Sequence, residues 1–381
     1  MALTIIKSNP ASLSFAGNPI VFRVGTDKVL DETESFLRIV CSVECYPLDS
    51  SLQFDFKTEL SSPVENGGEV VFNLSDTVQT LISRMHTGID ISDSPSSLSF
   101  GVDVHASFYA VWVADNAEVS TSVERAPSFR VIPGGLTDYE MLVKDDIYLP
   151  SLASDGVAMT RKPDGGIIYS GEELIVPWVK YDSEPSSVAI SSEKLLVGGV
   201  DVYSRTNVGY SNCVEHSVTS PVRAASDGPF TFTSNFTRAF SGYYRTNTHG
   251  VHFLRFINGF GAVENISVRS KDKLSYEVSG ETHSLVQGAT TRPTDRRYAT
   301  KSQPAGVYEL SSGYVPKQWA EWFVQELLTS PRVWIQLGGK WVPALIEAED
   351  DCVIYDRTKP EMPHVDFTLR LAIDGVTGIT W

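Results

Sequence analysis

Cysteine is scarce in this chain, four in 381 residues, and no two of them stand in a C-x-x-C pair. That spacing excludes a disulfide framework and offers nothing to a structural zinc ion. Cys41 and Cys45 share the β-like run FLRIVCSVECYP. Four residues of strand span about 13 Å, beyond the ~7 Å Cα separation a disulfide tolerates. All four cysteines are therefore expected as reduced thiols, with Cys41 and Cys45 on one buried face. Long apolar runs are missing too, and none approaches the ~18–20 residues that span a bilayer. The opening MALTIIKSNPASLSF lacks both the basic region and the apolar core of a secretory signal, so the chain is expected not to be exported by the general pathway. Positive charge is the minority sign: 31 basic against 47 acidic residues leave a net charge of −16. This argues against nucleic acid or an anionic membrane as the main partner.

Catalytic signatures are equally sparse. The chain contains no P-loop, no G-x-G-x-x-G after a strand, no G-x-S-x-G elbow and no H-E-x-x-H. His249 and His252 form the one close histidine pair, but residues three apart on a strand face opposite ways and do not converge on a metal. Glu347, Glu349, Asp350 and Asp351 cluster without the spaced Asp/Asn-Gly pattern of a calcium loop and read as a solvated turn. No cofactor or metal is expected. These absences shift the balance from catalysis towards binding or structure. A glycosidase would need two carboxylates facing each other in a cleft, which sequence alone does not reveal.

What is present is β-like. Ile20, Phe22 and Val24 alternate with Val21 and Arg23, Phe36–Tyr46 and Val102–Val113 read as longer strands, and Glu65-Asn66-Gly67-Gly68 is a turn signal. SDTVQTLISRM, 75–85, predicts a short helix capped by Ser75 or Asp76, with Val78, Leu81 and Ile82 inward. Pro133-Gly134-Gly135 marks a boundary. In the middle region, Gly165-Gly166 and Gly198-Gly199 predict two hairpins, whereas the Ser/Thr/Asn-rich 204–250 reads as polar loops or as strands exposed on both faces. From Val251 a meander is expected: Val251–Ile257, a turn at Asn258-Gly259-Phe260-Gly261, Ala262–Arg269, then Leu274–Val278. The fold class that follows is mainly β: β-sandwich-type domains in tandem, with one amphipathic helix packed on the C-terminal sheet. The domains are an N-terminal sandwich over 1–135, a β-rich region with long polar loops over 136–250, and a C-terminal β domain over 251–381 that carries a helix at 316–329.

That helix is the strongest local signal. Trp319, Trp322, Phe323 and Leu327 form one apolar stripe and Ala320, Val324 and Leu328 a second, while Glu321, Gln325 and Glu326 are expected on a polar side. Ser330-Pro331 ends it, and Gly338-Gly339 joins Arg332–Leu337 to Lys340–Glu347 in a two-residue hairpin. Pro343 in the second strand suggests a sheet edge, which could receive a neighbouring subunit.

Charge is uneven. Residues 1–140 hold eight basic and nineteen acidic residues, while 255–301 hold eight basic and five acidic. Either this is surface variation, or complementary faces meet between subunits. The basic loop around Arg292, Arg296 and Arg297 suits an acidic protein surface. Arg292, Arg296, Arg297 and Pro343 are thus the candidate subunit contacts.

HFLRFINGFGAVENISVRSKDKLSYEVSGE, the WAEWFVQELLTSPRVWI helix–strand and the closing DFTLRLAIDG strand resemble proteins encoded among the tail genes of phages and prophages of Bacteroidetes. The N-terminal NPIVFRV strand is similar to their openings. The likeness covers the two ends better than 136–250. It implies a virion tail or baseplate component comparable to distal tail proteins, which are β-rich hub subunits forming rings, commonly six-fold, that join tail tube to adsorption apparatus. Its partners would be copies of itself and other tail proteins, and it would assemble in the bacterial host cytoplasm. No catalytic residues are implied. The alternative reading is a carbohydrate-binding adsorption module for a host glycan, with Tyr210, Tyr243, Tyr244, Trp112 and Trp178 as stacking rings, although most of these rings, Trp112 and Trp178 above all, are expected in the core. A polysaccharide-degrading enzyme is third.

Overall fold

The computed structural model describes residues 4–48, 56–88, 100–137, 140, 157–179, 188–210, 214–235, 239–279, 282–284, 297–299, 303–347 and 362–372. Among these, the chain is mainly β. Its first part contains β1 (Thr4–Ser8), β2 (Leu13–Phe15), β3 (Val21–Thr26), β4 (Glu34–Pro47), β5 (Phe56–Pro63), β6 (Glu69–Asn73), helix α1 (Ser75–Gly88), β7 (Val102–Ala114), β8 (Ala117–Ser120), β9 (Glu124–Arg125) and β10 (Phe129–Ile132). One sheet runs β1-β3-β6 and the other β2-β10-β7-β4-β5, with β8 and β9 also paired to β7. Side chains two apart on a strand share a face. Phe22 and Val24 therefore meet Ile39, Cys41, Val43 and Cys45 from β4 and Val104, Ala106, Phe108 and Ala110 from β7 in one core. The rings of Phe22 and Phe108 lie 5.1 Å apart across the two sheets. Val78, Leu81 and Ile82 of α1 join this core, as their spacing predicts. The start of α1 is tied by Asn73, whose Oδ1 accepts from the Ser75 amide at 3.2 Å and the Ile20 amide at 3.1 Å.

The second part contains β11 (Val157–Ala158), β12 (Gly166–Tyr169), β13 (Ile175–Val179), β14 (Val188–Val197), β15 (Val200–Tyr210), β16 (Glu215–Val218), β17 (Gly228–Ser234) and β18 (Phe240–Arg245). A sheet β11-β13-β16 faces a second sheet β12-β18-β17-β14-β15, and Val176, Leu195, Phe230, Phe232, Phe240 and Tyr244 fill the space between them. Among the strands within 204–250, β16 is buried throughout and β17 alternates: Phe230 and Phe232 point in, Thr231 and Thr233 out. Their polar partners and short lengths hide this period in the sequence. Gly198-Gly199 closes the β14–β15 hairpin at Val197 and Val200. Gly165-Gly166 does not form a hairpin. Gly166 begins β12, which pairs in parallel with β18.

The third part contains β19 (Val251–Ile257), β20 (Val263–Ser279), β21 (Thr282–Ser284), β22 (Arg297–Ala299), β23 (Gln303–Ser311), α2 (Lys317–Trp322), β24 (Val333–Leu337), β25 (Lys340–Glu347) and β26 (Asp366–Leu371). Six of these close a barrel in the order β19-β20-β23-β26-β25-β24, while β21 and β22 pair separately. The expected third strand of the meander is the far half of β20, continuous past an irregularity between Ser270 and Leu274. Leu254, Phe256, Ile266, Phe367 and Leu369 share one core with Trp319, Trp322, Phe323 and Leu327.

Two expectations fail here for identifiable reasons. β25 is not an edge, because closure places it between β24 and β26. Pro343 is tolerated at the barrel rim. It sits opposite Trp334 and its carbonyl accepts from the Ala372 amide at 2.9 Å, so the missing N–H costs one bond where the ladder ends. Glu326 is not on the polar side of the helix. After Trp322 the chain winds as a π-helix over Phe323–Leu328. The wider turn advances each residue by less than an α-helix does and rotates Glu326 inward, to 3% exposure.

Candidate functional site

The three parts converge on two glycine turns read from the sequence as separate punctuation. Pro133-Gly134-Gly135, after β10, packs against Asn258-Gly259-Phe260-Gly261, after β19. The Gly135 amide donates to the Gly259 carbonyl at 3.1 Å. Gly134 has φ +72° and any Cβ there would overlap the Phe260 backbone, while a Cβ on Gly261, φ +70°, would strike Pro133. Around this contact Phe15 and Ile132 from the first part, Ile175, Val179 and Val218 from the second, and Ile257, Phe260 and Trp334 from the third form a single buried cluster. The rings of Phe15 and Phe260 stack at 5.8 Å.

A polar network threads the same junction. Arg161, between β11 and β12, donates from Nη1 to Glu326 Oε1 at 2.7 Å and from Nη2 to Glu140 Oε2 at 2.7 Å and the Gly135 carbonyl at 2.9 Å. Its guanidinium lies 4.0 Å from the Phe260 ring centre. Glu326 Oε2 in turn accepts from the Gly259 amide at 2.5 Å. Asn258 Nδ2 donates to the Met159 carbonyl at 2.8 Å and to Glu264 Oε1 at 2.6 Å. Lys162 Nζ donates to the Asn265 carbonyl at 3.0 Å. Nearby, Arg255 on β19 donates to Glu173 at 2.8 Å and covers the Trp341 ring at 4.1 Å.

Burial sets the protonation of this network. Desolvation pushes the Glu264 carboxyl up to about 7 against the pull of Lys162, Thr160 and Asn258, and Glu326 adds to the rise. Burial also raises Glu172, which accepts from Ser267 and from the Tyr169 amide, while Lys162 opposes the rise. For Glu140, burial is outweighed by hydrogen bonds from Arg161 and the Thr137 amide, and its carboxyl falls to about 2.

Directly beside the junction, β12 and the barrel frame an open cleft of about 460 Å³. Tyr169, Arg269, Ser270, Ser311, Tyr314 and Trp319 are among its walls. Arg269 donates from Nε and Nη2 to the Tyr169 hydroxyl at 3.2 and 3.1 Å. Trp319 is anchored by its Nε1, which donates to the Asp164 carbonyl at 2.8 Å. Its ring can approach because Gly166 has no Cβ to meet it. Tyr314, on the turn after β23, is 70% exposed.

Of the candidate subunit contacts, Arg292 and Arg296 lie outside the described residues. Arg297 begins β22 opposite Ser284, and Pro343 is at the barrel rim. Trp112, Trp178 and Tyr244 are buried and present no ring to a ligand. Tyr243 is exposed beneath the Arg245 guanidinium, 5.0 Å from its ring centre, and the side chain of Tyr210 is outside the described residues. His249 lies in the turn before β19 and His252 on that strand, 5.7 Å from the Tyr308 ring. Glu347 pairs with Arg370 at 3.0 Å; Glu349, Asp350 and Asp351 are outside the described residues. Sequence reasoning missed Arg161, Lys162, Glu264, Arg269, Tyr314 and the inward turn of Glu326. Its one usable signal was the pair of glycine turns.

No protein-family model matches the chain, and no curated protein matches it. Among solved structures it is similar to trypsin-activated alpha-2-macroglobulin from Escherichia coli, at 10% identity over 97% of this chain and 21% of that one, TM-score 0.25. The native conformation of the same E. coli protein matches at 8% identity over 99% and 21%, TM-score 0.24. The plexin A4 extracellular region matches at 9% identity over 64% and 27%, TM-score 0.18. The chain thus spans about a quarter or less of each of these proteins, and likenesses this loose carry no functional argument.

Proposed function

We propose that the chain is a non-enzymatic structural component of a phage tail or baseplate, a ring subunit comparable to distal tail proteins that joins tail tube to adsorption apparatus. The observation that carries this reading is the junction: three β units share one buried apolar cluster and one ion-paired network, centred on Phe260 and Arg161. A subunit that transmits force through a tail needs its units fixed relative to one another, and such a core supplies that rigidity. The phrase that carries the resemblance, HFLRFINGFGAVEN, includes the turn on which all three units meet. In a head-to-tail ring the acidic first part of one copy would face the basic 255–301 stretch of the next.

Native mass spectrometry at low and moderate salt tests the proposal. It should show a closed oligomer, six copies on the distal-tail model, that weakens with ionic strength and in the double variant Arg296→Glu/Arg297→Glu. A monomer at all concentrations, or rings indifferent to the charge reversal, would overturn the ring model.

A further inference from the structure

We infer that the cleft between β12 and the barrel is a binding site for an acidic saccharide unit, a sugar ring bearing a carboxylate. The cleft volume of about 460 Å³ lies within the ~300–1,000 Å³ usual for small-ligand sites. Among the described residues Arg269 is its only charged wall residue, and it is a cation in a chain whose net charge is −16. Among the described residues no carboxylate pairs with Arg269. The Tyr169 hydroxyl occupies its Nε side. A guanidinium has five N–H donors, so the end formed by Nη1 and the remaining Nη2 hydrogen is left to grip a carboxylate. Tyr169, itself 5% exposed, holds that fork in place from beneath.

The other walls suit a sugar ring. Tyr314 stands on the rim as an exposed aromatic face, braced edge-on by His364 at 5.7 Å, and such a face stacks on the apolar side of a pyranose. Ser311 stands on the same wall as Arg269, because the two are direct partners across β20 and β23, and its hydroxyl is held there by the Gly313 amide at 3.1 Å and by Asp366. Trp319 closes the back with its nitrogen already satisfied, leaving an apolar ring. One cation with an open donor fork, a serine-lined wall and an exposed aromatic together suit a sugar ring with a single negative charge. The inference stands on this geometry and is independent of the tail reading.

The test is calorimetric titration of the full chain with tetragalacturonate, tetramannuronate and 3′-sialyllactose. Maltotetraose and lactose serve as neutral controls and inorganic phosphate as a bare anion. At least one acidic saccharide should bind, with the neutral sugars and phosphate each weaker by roughly tenfold or more. Arg269→Gln should lower affinity by a similar factor. So should Ile167→Glu, which adds a repelling charge at an exposed wall position and leaves the core untouched; unchanged thermal unfolding of that variant certifies the fold. Absence of saturable binding by every acidic saccharide up to about 10 mM would overturn the site. So would binding indifferent to both substitutions, or phosphate binding as tightly as the sugars. An assembled ring that binds no saccharide would overturn this inference and leave the tail proposal standing.

Discussion

Arg161 and Glu326 are 165 positions apart in sequence and form an ion pair at 2.7 Å, with Glu326 only 3% exposed. Removing the cation strands a buried carboxylate, which is worse than never having had the pair. Arg161→Met should therefore lower stability by about 3–5 kcal/mol in urea denaturation. Arg161→Met/Glu326→Leu should recover part of that loss. A midpoint unchanged in the single variant would show that the pair holds nothing together.

Glu264 gives the protein an unusual acid–base slope. Its carboxyl is raised from the ordinary 4.5 to about 7, so between those values the unfolded chain has released a proton that the folded chain keeps. The stability from this group is full below about pH 4.5, declines as pH rises and is gone above about 7. Glu140, lowered to about 2, acts oppositely: its contribution is present above about pH 4.5 and is lost as pH falls towards 2. Urea midpoints between pH 5 and 8 should fall with rising pH in the native protein and flatten in Glu264→Gln. Parallel curves would assign the slope to other groups.

The two classes of glycine turn should respond differently to a methyl group. Gly134→Ala must adopt φ +72° and overlap Phe260, so it should cost more than about 2 kcal/mol and expose the junction to proteolysis. Gly338→Ala, at φ +57° with open space around it, should cost about 1 kcal/mol. Equal effects would mean that the turn-on-turn contact contributes nothing beyond backbone strain.

Cys41 and Cys45 lie buried in the first core, where desolvation pushes both thiols up to about 12. In a Cys213→Ser/Cys352→Ser background they should resist Ellman's reagent at pH 8 and react stoichiometrically only after denaturation. Rapid native labelling would indicate that the first sandwich opens readily.

The sequence is legible wherever a period is clean. Phe22 and Val24, the α1 triplet Val78, Leu81 and Ile82, and the Gly338-Gly339 hairpin all sit as their spacing requires. Legibility ended where the third dimension supplied the reason. Arg255 and Ile257 alternate with Leu254 and Phe256, yet all four are buried, because the second part covers the outside of the barrel there. Glu326 needed a π-turn that no side-chain pattern announces, and Pro343 needed closure of a sheet whose other strands reach back to Val251. Arg161 and Arg269 look like ordinary surface cations until the fold brings Glu326 and Tyr169 to them.

The junction also sets an order on how the chain can be made. Its cluster draws on Leu13 and Trp334 alike, so it cannot close until synthesis has passed Trp334. The first sandwich can complete its own core by Ile132, but the patch of Leu13, Phe15 and Ile132 then waits for its full cover through some 200 residues of further synthesis. Contacts of such long range form late and slowly. The nascent chain therefore carries a partly exposed apolar surface over this interval, when it is most prone to aggregate and most in need of a chaperone.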